Sequence, residues 1–172
     1  MCIRDSIEPP FYRLYHDQHC LVKYPLALGY LSGCIIKNTD WSVQTYNADF
    51  NAEKKRFAPE IDYISGEGFK RYLSSLKDRS MPIWNEVKKS IEEYNPSVIG
   101  ISAKTQNFIS ATIVAKIAKE INPDIKVIVG GVHPTMNGAK VLDCENIDFC
   151  ACGAFCSFKI DTLEQPISDP KK

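Results

Sequence analysis

Two short runs carry the residues best suited to holding a ligand: Ser102-Ala103-Lys104-Thr105 and Gly130-Gly131-Val132-His133-Pro134-Thr135. Glycine lets a backbone lie against a large flat or extended molecule, while Ser102 and Thr105 offer compact hydrogen-bonding groups. Singly, a glycine pair makes an ordinary strand-to-helix turn and a Ser or Thr an ordinary helix cap. Their joint placement points instead to a binding edge, with His133 in a positional role. A second imidazole, His19, follows Asp17 at a spacing where the carboxylate could orient a metal-ligating ring. Cys144, Cys150, Cys152 and Cys156 form a third set, whose thiolates suit zinc or iron–sulfur centres. No Cys-x2-Cys pair exists among them, and an extended strand would send Cys150 and Cys152 to one face with Cys156 beyond a turn. The expectation is therefore buried or loop thiols, and Cys20 and Cys34 have no persuasive partners.

The elements that must position these groups are legible from periodicity. Val98-Ile99-Gly100-Ile101 reads as a buried strand, and Ile113, Ile117 and Ile121, with Val114 and Ala118, give one apolar stripe to a helix over 107–121. A second strand spans 125–129, Pro134 starts a helix running to about Leu142, and a shorter strand covers 147–151. Upstream, 25–37 reads as a helix preceding a strand over 42–46. Within that helix Gly29 and Gly33 share a face and are expected to pack tightly on the sheet. Ser80 caps a helix with Pro82 in its first turn and Ile83, Val87, Ile91 and Tyr94 at helical spacing. The polar stretch 51–79 is an insertion in an early crossover, holding a short helix over 69–76 after Gly66-Glu67-Gly68. Strands alternating with helices predict parallel crossovers and a doubly wound α/β sheet.

At 172 residues the chain fits one domain with a sizeable core. Lys plus Arg and Asp plus Glu are each 21, so nothing suggests a nucleic-acid or acidic-membrane surface. No apolar run approaches the ~20 residues of a membrane span, and the N-terminus has no cationic leader, so a cytoplasmic protein is expected. Seven cysteines in such a sequence predict reduced thiols and no disulfide framework.

The ordered set Pro9-Pro10, Tyr24-Pro25-Leu26-Ala27-Leu28-Gly29-Tyr30-Leu31, Gly100-Ile101-Ser102-Ala103-Lys104-Thr105 and Gly130-Gly131-Val132-His133-Pro134-Thr135 resembles the cobalamin-binding domain of cobalamin-dependent radical S-adenosylmethionine proteins. The resemblance covers roughly residues 8–150. It implies a Rossmann-like or flavodoxin-like fold with a mainly parallel five-stranded sheet and cobalamin outside the carboxyl ends of the strands. It also implies that Ser102 to Thr105 and Gly130 to Thr135 accommodate the cobalamin tail and the lower face of its ring. In the full-length parent, expected to be an enzyme such as a methyltransferase, the partner would be a radical barrel carrying a [4Fe–4S] cluster and S-adenosylmethionine.

The sequence departs from the family pattern in places. Residues 1–7 are short and mostly polar where a strongly apolar central strand is expected, so they read as a truncated or foreign start to a domain spanning 8–152. Residues 153–172 form an atypical C-terminal tail, since Cys152-Gly153-Ala154-Phe155-Cys156 replaces a Gly-Glu-rich loop. Cys152 and Cys156 have the first spacing of a Cys-x3-Cys-x2-Cys cluster motif, but Lys159 stands at the third position, and no barrel follows. The chain alone is therefore expected to bind rather than catalyse. Asp17-Gln18-His19 resembles the Asp-x-His-x-x-Gly loop that supplies a cobalt ligand in another cobalamin fold, yet Val22 occupies its glycine position, so His19 is a weak candidate for cobalt.

Two other classes use a similar layout. A dinucleotide-binding oxidoreductase needs Gly-x-Gly-x-x-Gly after its first strand, which is missing. A receiver-like signalling domain needs a phosphorylatable Asp after its third strand, where Ser102, Ala103 and Lys104 stand.

Overall fold

A computed structural model describes residues 3–21, 24–54 and 66–153. Five strands form one sheet in the order β2-β1-β3-β4-β5, every pair parallel: β1 Ile3–Glu8, β2 Ser42–Asn47, β3 Val98–Ser102, β4 Lys126–Gly130 and β5 Phe149–Ala151. Alternation divides β3 and β4 between two faces. Ile99, Ile101, Val127 and Val129, all fully or almost fully buried, point to one side. There they meet Ile83, Trp84, Val87 and Ile91 of α4 (Pro82–Tyr94) and Val114, Ile117 and Ala118 of α5 (Phe108–Ile121). Burying each such aliphatic side chain contributes about 1.5–3 kcal/mol, so this side supplies most of the core. The other side carries α2 (Leu26–Asn38), which packs on β1 and β2.

The polar start of the chain, from Ile3, forms an interior strand, second in the sheet order. β1 pairs with β2 from Ile3↔Ser42 to Glu8↔Asn47 and with β3 from Arg4↔Val98 to Ile7↔Ile101. Backbone ladders on both sides hold it irrespective of side-chain type. Its polar side chains are nonetheless costly. Glu8, buried, is matched by Lys104 at 2.8 Å. Asp5 is buried with no well-formed hydrogen bond to either carboxylate oxygen among the described residues. Burial pushes its carboxyl up to about 7, against a weaker opposing pull from the Ser6 backbone.

Several local expectations need correction. Gly29 and Gly33 do not pack on the sheet: Gly33 is exposed with open space around it, and Gly29 lies against the Tyr24 ring. At ~100° per residue the sheet-facing positions are Leu28 and Ser32, the latter 3.2 Å from Thr45 through their hydroxyls, which turns 29 and 33 outward. Met81, not Ser80, occupies the cap of α4, because Pro82 fixes the first helical position; the Ser80 hydroxyl donates to Asp78 instead. The helix after β4 starts at Val132 and stops early: α6 spans Val132–Asn137, and Gly138 at φ +58 turns the chain into a 3₁₀ segment, Gly138–Asp143. β5 begins only at Phe149, since the Asp148 carboxylate accepts the Val127 N–H at 2.7 Å.

Two further helices shape the β1–β2 end: α1 (Tyr12–Tyr15) and α3 (Glu67–Lys77). Tyr15 stacks on Tyr72 with ring centroids 4.8 Å apart, and Ser75 donates to the Leu14 carbonyl.

Candidate functional site

The loops after β3 and β4 are zipped to each other. Ala103 N–H donates to the Gly130 carbonyl at 2.7 Å, and His133 N–H donates back to the Ala103 carbonyl at 3.0 Å. Gly131, at φ +110, lies so close that a Cβ there would stand 2.8 Å from the Ala103 oxygen. Glycine is thus demanded twice, by backbone conformation and by loop-to-loop approach. The His133 ring stacks on Phe108 with centroids 4.0 Å apart, and its Nδ1 lies 3.3 Å from the Thr105 hydroxyl. Thr135 donates to the Gly131 carbonyl, and its hydroxyl oxygen accepts from Gly153 N–H. Lys104 is anchored at both ends, its N–H to the Asn107 side chain and its ammonium to Glu8.

Beneath this edge a groove of about 300 Å³ runs between α2 and the sheet. Its helical wall comes from Ala27, Leu28, Leu31, Cys34 and Ile35. Its floor comes from Ser6, Gly100, Ser102, Ile128 and Gly130, with Gly131 and Gly153 at the carboxyl edge and Trp41 and Val98 at the other end. Gly100 keeps the floor open, because a Cβ there would make only ordinary contacts, 3.8 Å from the Asp5 carbonyl and 3.9 Å from the Ser6 hydroxyl. Asp5 borders the groove through its backbone; in the register it alternates with Ser6 and pairs with Ile99, on the core side, where its charge acts on Tyr46. The groove is largely apolar, with Ser6 and Ser102 as its hydroxyls.

Of the ten residues expected at the edge, Ser102, Gly130 and Gly131 line the groove itself. Ala103 and Pro134 are buried in the loop junction, while Lys104, Thr105, Val132, His133 and Thr135 surround it. The groove also uses Gly100, Ser6 and the α2 wall, none of which the sequence placed among the expected ligand contacts. A glycine interrupting an apolar strand was the available signal, since such a glycine marks close approach of a ligand or another backbone.

His19 is buried in the segment beyond α1, its ring 5.1 Å from that of His16, and it does not line the groove. That segment is tied to the loop after β2, where Leu21 N–H donates to the Asp49 carbonyl. The Asp49 carboxylate accepts from Phe11 and Arg13 N–H, fixing the chain after Pro9-Pro10; burial still pushes it up to about 6. Cys150 and Cys152 share a face, as expected for a strand, with sulfurs 3.5 Å apart. Among the described residues no three His, Cys, Asp or Glu side chains gather as a metal site, and Cys156 and Lys159 lie outside them. No described helix is long and apolar enough to cross a membrane.

A model of the B12 binding domain family matches residues 62–155, more than half of the chain. Among curated proteins, an uncharacterized methyltransferase of Pyrococcus horikoshii is 36% identical over 66 residues, covering 38% of this chain and 14% of the relative. The anaerobic magnesium-protoporphyrin IX monomethyl ester cyclase of Rubrivivax gelatinosus is 36% identical over 58 residues, 34% of this chain and 10% of that protein. The matches thus span a small part of each relative's length.

Proposed function

Because the chain belongs to the B12-binding domain family, we propose that it holds cobalamin across the carboxyl edge of its sheet, with the nucleotide tail descending the groove between α2 and β1, β3 and β4. The groove floored by Gly100 carries this reading: an apolar slot opens at the edge where the two glycine-containing loops meet. At about 300 Å³ it lies at the lower end of small-molecule sites. That suits a flat heteroaromatic tail, whereas a corrin ring has to rest on the open edge above. Ser102, Gly130 and Gly131 would hold the tail at the mouth; Ala103, Lys104, Thr105, Val132, His133, Pro134 and Thr135 would support the lower face of the ring. When bound, cobalamin supplies a cobalt centre for methyl-transfer or radical chemistry, and the role of this chain is to bind and orient it. His19, outside the groove, is not assigned to the cobalt.

The parent protein is proposed to be a cobalamin-dependent radical S-adenosylmethionine enzyme, whose [4Fe–4S] cluster and S-adenosylmethionine would be held by a separate barrel. The ordered motif set supports this reading, as do relatives named a methyltransferase and a cyclase. A cytoplasmic location accords with it.

The test is titration with hydroxocobalamin, followed by visible spectrum and equilibrium dialysis, with circular dichroism as a check on folding. Gly100→Val places a strand-compatible side chain in the groove and should weaken binding about tenfold or more, as overpacking costs ~1–3 kcal/mol. His19→Ala should leave the bound spectrum unchanged. A folded wild type that does not bind, or equal binding by Gly100→Val, would reject the site.

A further inference from the structure

The end of β5 carries a chemical feature that cobalamin binding does not use. The Sγ atoms of Cys150 and Cys152 lie 3.5 Å apart. Each sulfur also meets a carbonyl of the neighbouring segment, Cys152 at 3.3 Å from Pro134 O and Cys150 at 3.5 Å from Gly138 O. The two thiols therefore pin the end of β5 to Pro134 within α6 and to Gly138 at its C-terminal cap, and the Gly153 N–H bond to Thr135 reinforces the clamp.

The two sulfurs are not equivalent. Cys152 is exposed and is the one an outside reagent can reach, while Cys150 is half-buried. Burial and the adjoining sulfur push the Cys150 thiol up to about 11, so it stays protonated beside its partner. The sulfurs need approach by only about 1.5 Å to reach bonding distance. Gly153, at φ +88, follows directly and gives the chain room to turn there.

We propose that Cys150 and Cys152 are a reversible dithiol–disulfide couple that exchanges with glutathione-type disulfides and, on closing, releases α6 from β5. Cys152 first gives its proton to solvent, and its sulfur attacks one sulfur of oxidised glutathione. That S–S bond breaks, and one glutathione thiolate leaves and takes up a proton. Cys150 then loses its proton and attacks the Cys152 sulfur of the mixed disulfide, expelling the second glutathione thiolate, which is protonated in turn. Two protein thiols become one disulfide, and two electrons and two protons convert oxidised glutathione into two reduced molecules. The thiol hydrogens facing Pro134 and Gly138 are gone, so the clamp opens. Closure between residues two apart on an extended strand strains the bond, and strained disulfides are the easily reduced ones.

The experiment equilibrates the whole chain across a series of oxidised-to-reduced glutathione ratios, quenches with acid, alkylates and maps the tryptic peptide 141–159, which contains Cys144, Cys150, Cys152 and Cys156. A Cys150–Cys152 bond should appear reversibly and persist in Cys156→Ser. Cys150→Ser should accumulate glutathione on Cys152, whereas Cys152→Ser should accumulate none on Cys150. Hydrogen exchange over Val132–Asn137 should quicken about tenfold in the oxidised form, as expected when a local clamp is lost. Free thiols at both positions throughout the series, or a Cys152–Cys156 bond instead, would overturn the couple. A Cys150–Cys152 bond with unchanged exchange in α6 would overturn the release.

Discussion

Gly100 and Gly131 lie close together on the carboxyl half of the sheet yet answer to different constraints. Gly131 is held by φ +110 and by the Ala103 carbonyl, so Gly131→Ala should cost about 1–3 kcal/mol in urea unfolding whatever it does to ligand binding. Gly100 has ordinary backbone and ordinary contacts for an added Cβ, so Gly100→Ala should leave stability unchanged or slightly raised. Both line the groove, but only a change at Gly100 reports on it without a stability cost. Asp5 makes the stability depend on pH. Its carboxyl is raised to about 7 from 3.8, so the folded state favours the protonated form. That contribution is fully present below the unfolded value and is lost as pH rises through the folded one. Asp5 should therefore contribute a fall of at most roughly 4 kcal/mol in stability between about pH 4 and pH 7, to which Asp49 adds in the same direction, and Asp5→Asn should flatten that slope. Parallel pH profiles of the two proteins would contradict it.

At the scale of elements, α2 does two jobs with opposite faces. Its inner face, Leu28 and Ser32 with Leu31 and Ile35, forms the groove wall and docks on the sheet. Its outer face carries Gly33 in open solvent, where glycine only weakens the helix. Gly33→Ala should stabilise the protein by about 0.5–1 kcal/mol, measured as a raised urea midpoint with unchanged slope. Gly29→Ala should gain less, because its Cβ would stand 2.6 Å from the Tyr24 ring and force that side chain aside. Periodicity placed this helix well but did not orient its glycines, since spacing of four is satisfied on any face. The same limit applies to α6, where Pro134 marked a helix but Gly138 decided its length.

At the scale of the molecule, the sheet has one thick side and one thin side. The α4 and α5 side carries the apolar core; the other, over β3 and β4, holds the groove. A ligand seated there should add to global stability, by about 2.7 kcal/mol at a free concentration of 100 Kd. Hydroxocobalamin should thus raise the thermal midpoint of the wild type by clearly more than that of Gly100→Val, a comparison that scanning calorimetry can make. The alternating strands and helices, the parallel sheet and the two loops at its carboxyl edge were already determined by the sequence. Hydrophobic period and turn chemistry are local properties, readable over a few residues. That Ile3–Glu8, polar as it is, serves as an interior strand emerges only on folding, because its ladders with β2 and β3 come from residues some forty and ninety positions away. The role of Gly100 emerges then too: a bare position in a strand becomes the floor of a groove only when α2 folds back across it.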